Sequence, residues 1–296
     1  MSAELGLTPA RRRRAIRLDG GGFVLLAPAA VLLFVGFILP VAYAFYLGFT
    51  NLSLVGPTAQ HYRITGLTNV FTLIHDSLFW NSLQLTAVFV AGSAVVGVTV
   101  VSMVLALLMQ RAIPWVGVAV GGLVILAWIL PPITGAIVWF AFSTQGGTLS
   151  ALIGGDPLFS APMLIVGIAN VWSTAGFGML IMSGGLRSIS SEVIEAARLE
   201  RASGWQTFWR IVVPLMQNTI IAAVLIVVLL SLGNFTLIFI MTGGGPGTET
   251  SILPIYSYIE AFTFNRLAYG ALIGDVIVVL GSVLAYLYVR FASQQN

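Results

Sequence analysis

The feature that most constrains this chain is where its charges are missing. Formally uncharged runs cover residues 20–62, 77–110, 112–155, 157–186 and 211–248, and 267–289 is interrupted only by Asp275. Each run holds the roughly 20 apolar residues that a helix needs to cross a bilayer. With 58% hydrophobic and 8% charged residues, the chain has too little polar surface to coat a water-soluble globule. The expected class is an all-α integral membrane protein with about six spans, near 22–49, 82–109, 116–143, 161–184, 217–242 and 267–289. Pro131-Pro132 reads as a kink inside one span, because the polar exit Ser143-Thr144-Gln145-Gly146-Gly147 follows it.

All thirteen basic residues are arginines, and short cytoplasmic loops collect such charges. With the N-terminus inside, Arg11, Arg12, Arg13, Arg14, Arg17, Arg111, Arg187, Arg198, Arg201, Arg210 and Arg290 are cytoplasmic. Only Arg63 and Arg266 then lie outside; a seventh span would reverse every later loop and spoil this division. The cluster at Arg11–Arg17 followed by an apolar run looks like a signal peptide. That run continues past a 7–15-residue apolar region with no clean small-residue cleavage site, so an uncleaved first span is expected. The basic cluster reads as a topology anchor on anionic lipid. The organisation is then a cytoplasmic tail at 1–21, a first helix and extracytoplasmic loop at 22–78, a membrane core at 79–290 and a cytoplasmic tail at 291–296. The outer loop near 50–80 has room for a short helix.

Several chemistries are excluded. Without lysine there is no phosphate-binding P-loop and no Schiff base, and without cysteine there is no disulfide, thiolate nucleophile or Cys-based metal site. His61 and His75, both in the outer loop, read as ordinary loop histidines, and no metal site is expected. The net charge of +3 is spread along the chain, so no nucleic-acid partner is expected.

One segment breaks the apolar pattern. Arg187 to Arg210 carries seven charges, and burying them in a bilayer core at roughly 3 kcal/mol each would cost about 20 kcal/mol. The segment therefore lies in the cytoplasm. Ser190 or Ser191 can cap a helix with Glu192 in its first turn. This helix is expected to run to about Ala202, with Gly204 breaking it and a second helix running from Trp205 to just before Pro214. Ala196 and Ala197 permit close approach, while Trp205, Phe208 and Trp209 supply bulk within a charged rim. Two readings fit: a docking surface for another protein, or an amphipathic pair resting on lipid headgroups.

The pattern Glu195-Ala196-Ala197, then Gly204, then Ile211-Val212-Val213-Pro214 resembles the EAA loop of the permease subunits of type I ABC importers, in the carbohydrate-uptake branch. FWNSLQLTAVF at 79–89 is similar to the start of that family's core, and NFTLIFIMTGGGPGTETSILPIYSYIEAF at 234–262 to the fifth span, outer loop and following helix of its larger permeases. Arg201 stands where the family usually has glycine, Glu200 where it has aspartate and Val213 where it has leucine. The resemblance implies the type I permease fold in a bacterial cytoplasmic membrane, both termini inside, and a sugar as cargo. It also implies that 187–214 is a coupling loop, with Glu195, Ala196, Ala197, Glu200, Gly204, Trp205, Phe208 and Trp209 meeting an ATPase subunit. The implied partners are a second, different permease, two copies of a cytoplasmic ATPase and an extracytoplasmic sugar-binding protein or lipoprotein. The permease is then not an enzyme: ATP and magnesium belong to the ATPase, and this chain holds no cofactor. Gly243, Gly244, Gly245, Pro246 and Gly247, which cannot continue a helix, would face the binding protein.

Polar residues at membrane depth complete the picture. Asn170 and Trp172 in the fourth span, and Asn234, Phe235 and Thr236 in the fifth, suit a neutral polyol: aromatic faces stack on C–H surfaces while amides and hydroxyls bond its hydroxyls. Helix packing through the same small and polar groups is the competing reading. Trp128, Trp139 and Phe142 read as packing or interfacial anchors. Asp275 either lines the pathway or pairs across an interface, or else reaches an outer vestibule near Arg266. A rival function, a proton-coupled secondary carrier, would use Asp275.

Overall fold

The computed structural model describes residues 20–293, with side chains from 26 to 290; Arg11–Arg17 and the last three residues lie outside the described residues. The chain forms two compact units, 1–44 and 45–296. The first is helical from Gly20, with Pro28 inside the helix Gly20–Leu33 and a π-helical turn at Phe34–Ile38.

Among the described residues, five helices are long and apolar enough to cross a bilayer: Leu26–Gly48, Ser77–Arg111, Pro132–Ile153, Pro162–Arg187 and Leu267–Arg290. A sixth crossing arises if Gly204–Leu215 and Gln217–Leu232, which meet at 73°, are one span. Five to six candidate crossings accord with about six expected spans, and the stretches expected as the third and fifth are discontinuous. The third consists of Pro114–Ile129 and Pro132–Ser143. Leu130, between them, is held extended (φ −54°, ψ 138°), because a following proline ring excludes the helical conformation from the residue before it. The fifth runs as Gln217–Leu232, stops at Gly233 and Asn234, and resumes as Phe235–Met241.

The fourth span, Pro162–Arg187, is the central element, burying Ala169, Asn170, Ala175, Gly176 and Gly178 among others. Small residues let neighbouring helices approach closely where lipid supplies no hydrophobic driving force. Thus Ser102 Oγ of the second span donates to the Ala175 carbonyl at 3.0 Å, and a side chain at Gly178 would collide with Ser102.

At one end, a turn with positive φ at Gly243, Gly244 and Gly247 leads into the helix Leu253–Tyr258 and a π-helical turn at Ile259–Thr263. Thr250 Oγ1 closes that turn by donating to the Gly245 carbonyl at 2.9 Å. The following helix lies on the last span, where Ser257 Oγ donates to the Gly270 carbonyl at 2.8 Å.

The same end is tied together by Asp76. Its carboxylate caps the second span through the amides of Leu78 (2.9 Å) and Phe79 (3.4 Å) and accepts the hydroxyls of Tyr256 and Tyr269. Burial works to raise the Asp76 pKa, but these bonds to the charged form outweigh it and hold the group below the ordinary aspartate value. Nearby, Arg266 pairs with Glu260 at 2.8 Å and lies 4.2 Å from the centre of the Tyr269 ring. Arg266 is thus engaged by Glu260.

Candidate functional site

The two helix interruptions face each other across one cavity of about 270 Å³. Its lining includes Trp128 and Trp139, on either side of the Pro131-Pro132 break, Trp172 on the fourth span, and Asn234, Phe235 and Thr236 at the break in the fifth. Trp128 stacks on Phe177 with ring centres 5.1 Å apart, and Trp139 meets Trp172 edge-on at 6.1 Å. The indoles are therefore braced by other rings while still facing the cavity, which preserves flat apolar surface for a ligand.

Asn170 plays a different part from the one its polarity suggests. It is 1% exposed, its Nδ2 donates to Ser93 Oγ at 2.9 Å and to Ser231 Oγ at 3.1 Å, and its Oδ1 accepts from Asn234 Nδ2 at 2.9 Å. The amide joins the second, fourth and fifth spans and orients Asn234, which lines the cavity. Asn170 thus follows the helix-packing reading, through bonds that also reach Asn234.

Asp275 lies elsewhere. It is 5% exposed, its Oδ2 has no hydrogen-bond partner, and that oxygen would stand 3.0 Å from a Cβ added at Gly48. It does not line the cavity, and Arg266 belongs to Glu260. The structure thus gathers Asn170, Trp172, Asn234, Phe235 and Thr236 into one site and leaves Asp275 apart. Trp128 and Trp139, expected as packing or interfacial anchors, do pack on other rings and in addition line the cavity. Their signal in the sequence was the double proline they flank.

The charged loop forms two helices, as expected, but their boundaries differ. Ser190 caps Ser191–Leu199 by accepting from the Glu192 amide at 3.2 Å. The helix ends before Ala202: Arg201 adopts φ 55°, its amide donates to the Arg198 carbonyl at 3.0 Å, and the Ala202 amide donates to Ala197 at 3.0 Å. These two bonds make a Schellman C-cap, so Arg201 turns the chain and Gly204 does not. Gly204 instead begins the second helix, behind a capping box in which Ser203 and Gln206 bond each other's backbone amides. Pro214 does not end the helical run, which continues to Leu215 before the 73° bend.

Glu195, Ala196, Glu200, Gly204, Trp205 and Trp209 are exposed, Trp205 to 72%. Ala197 and Phe208 turn the other way, Ala197 being buried and Phe208 packing against the cluster that contains Met103, Met182 and Met216. The Ala196-Ala197 pair is therefore divided between an outer and an inner surface.

The model of the binding-protein-dependent transport system inner membrane component matches residues 99–295. The chain belongs to this family of ABC importer permeases. It is similar to a probable ABC transporter permease of Pyrococcus horikoshii, 31% identical over 92% of this chain and 96% of that one. It is also similar to the trehalose transport system permease SugA of Mycobacterium tuberculosis, 27% identical over 90% and 87%. Among solved structures, a bacterial alginate ABC transporter in complex with its alginate pentasaccharide-bound periplasmic protein aligns with a TM-score of 0.73, at 20% identity, over 94% of this chain and 96% of that chain. That likeness establishes the type I importer permease fold. The chain is accordingly an inner-membrane transport subunit and not an enzyme.

Proposed function

We propose that this chain is one of two different permease subunits lining a path for a neutral oligosaccharide, driven by ATP hydrolysis on separate subunits. The observation that carries this reading is the cavity at the two helix breaks. Braced indole faces and an oriented carboxamide, with no ionised group among its lining residues, match the alternating apolar faces and hydroxyl edges of a sugar. Trehalose is the first sugar to test, because SugA is a trehalose permease and stacking plus amide contacts suit a disaccharide.

In this reading both termini and the 187–214 loop face the cytoplasm. Two copies of an ATPase that holds ATP and magnesium act there, one of them on Glu195, Glu200, Trp205 and Trp209. An extracytoplasmic binding protein delivers the sugar near the Gly243–Gly247 turn. The loop's second helix leads through Met216 into Gln217–Leu232, whose far end is the Asn234 break. A displacement of the loop is therefore delivered along one helix to the cavity, rocking the spans between inward-open and outward-open forms.

Purification of the assembly from its native membrane, with ATP hydrolysis measured against a panel of sugars, tests this. Trehalose is expected to stimulate hydrolysis. Glu195→Arg is expected to abolish uptake and stimulated hydrolysis while leaving membrane insertion intact. The unpartnered Asp275 favours a second reading, proton-coupled transport. Uptake that survives ATP depletion under an imposed proton gradient, and is lost in Asp275→Asn, would establish that reading instead.

A further inference from the structure

The helix Thr68–His75 is docked through one side and bare on another. Val70 and Leu73 pack into the cluster of Tyr256, Tyr269 and Leu272, and Asn69 Nδ2 donates to the carbonyls of Gly48 and Thr50, both at 2.8 Å. A quarter-turn away, Leu67, Phe71 and Ile74 are 55%, 61% and 51% exposed, at the i, i+4, i+7 spacing of one helical stripe. The remaining side carries Thr68, Thr72 and His75, all exposed. Residues 64–75 contain no charge.

The occupant of the bare stripe follows from its position. Only Asp76 separates this helix from Ser77, where the second span begins, so the stripe lies at the end of a membrane-crossing rod. Beyond the extended Asp76, that span begins with exposed apolar residues of its own, Leu78 (47%), Trp80 (47%) and Val88 (59%). The Trp80 indole N–H donates to the Ile74 carbonyl at 2.8 Å, clamping the short helix to the first turn of the span. A tryptophan at this level is where amphipathic rings settle in bilayers.

We propose that Thr68–His75 is an interfacial helix, lying along the membrane surface with Leu67, Phe71 and Ile74 in the acyl–headgroup boundary and Thr68, Thr72 and His75 toward water. A helix apolar on one side and polar on the other adopts this posture. Only the leaflet, that opposite the coupling loop, depends on the topology proposed above.

The cysteine-free sequence makes the test direct. Nitroxide labels are placed singly at Phe71→Cys, Ile74→Cys and Thr72→Cys in the full transporter assembly in liposomes. Their relaxation by oxygen, which partitions into lipid, is compared with that by a water-soluble nickel chelate. Labels at 71 and 74 are expected to be mobile and relaxed severalfold more by oxygen, and the label at 72 more by nickel. Stronger relaxation by nickel at 71 and 74 would mean a water-facing stripe and overturn the proposal. Immobile labels shielded from both reagents would mean a protein neighbour and overturn it equally. None of these outcomes depends on ATP coupling, so failure here is separable from failure of the transport reading.

Discussion

Arg201 shows how much a single backbone angle matters in the charged loop. A side chain at φ 55° brings Cβ against the following carbonyl, which costs an L-residue roughly 1–2 kcal/mol and costs glycine almost nothing. The Schellman bonds from the amides of Arg201 and Ala202 hold it there. The angle is one that glycine adopts without steric cost. Arg201→Gly is therefore expected to stabilise the loop by about 1 kcal/mol, read as a raised unfolding midpoint of the purified assembly. A lowered midpoint would mean that the guanidinium makes a contact outweighing the strain.

At the scale of elements, the helix after the glycine turn is held by the absence of side chains opposite it. A Cβ at Gly270 would stand 2.6 Å from Ala261 Cβ and 2.7 Å from the Ser257 carbonyl oxygen, whereas one at Gly274 would meet Ser257 Oγ only at 3.8 Å. Gly270→Ala must push backbone from backbone and is expected to cost about 1–3 kcal/mol, with Gly274→Ala close to neutral. Thermal unfolding of the two variants side by side checks the contrast. Equal effects would show that the glycines serve helix flexibility and not close packing. The loop helices divide their aromatics by the same logic of surface: Trp205 is left exposed, while Phe208 packs against the cluster of Met103, Met182 and Met216.

For the molecule as a whole, the Asn170 amide is the joint between three spans. It connects residues 61 to 77 positions apart, so its removal leaves Ser93, Ser231 and Asn234 without that partner at once. Asn170→Ala is expected to cost about 1–3 kcal/mol and to raise the sugar concentration needed to stimulate ATP hydrolysis, because Asn234 loses its orientation. Asn234→Ala is expected to weaken the sugar response with less loss of stability. Titration of stimulated hydrolysis alongside unfolding midpoints separates the two. An Asn170 variant with an unchanged sugar response would show that Asn234 is positioned by other contacts.

The sequence by itself determined that the chain is helical and has the uncharged runs to cross a membrane about six times, and it marked Arg187–Arg210 as the segment that breaks the apolar pattern. These conclusions rest on local sums, the transfer cost of charges and the length of uncharged runs. It also marked the polar residues at depth and a helix cap at Ser190 or Ser191, of which the structure uses Ser190. Only the tertiary structure decided that the Pro131 and Asn234 breaks face one cavity, that Trp128 and Trp139 belong to it, that Asn170 serves Asn234, and that Asp275 stands apart. The physical reason is that a helix such as Gln217–Leu232 is apolar on all sides. Its periodicity carries no signal for which face turns inward, and that rotation is settled only by close packing of glycines, serines and amides between spans far apart in the chain.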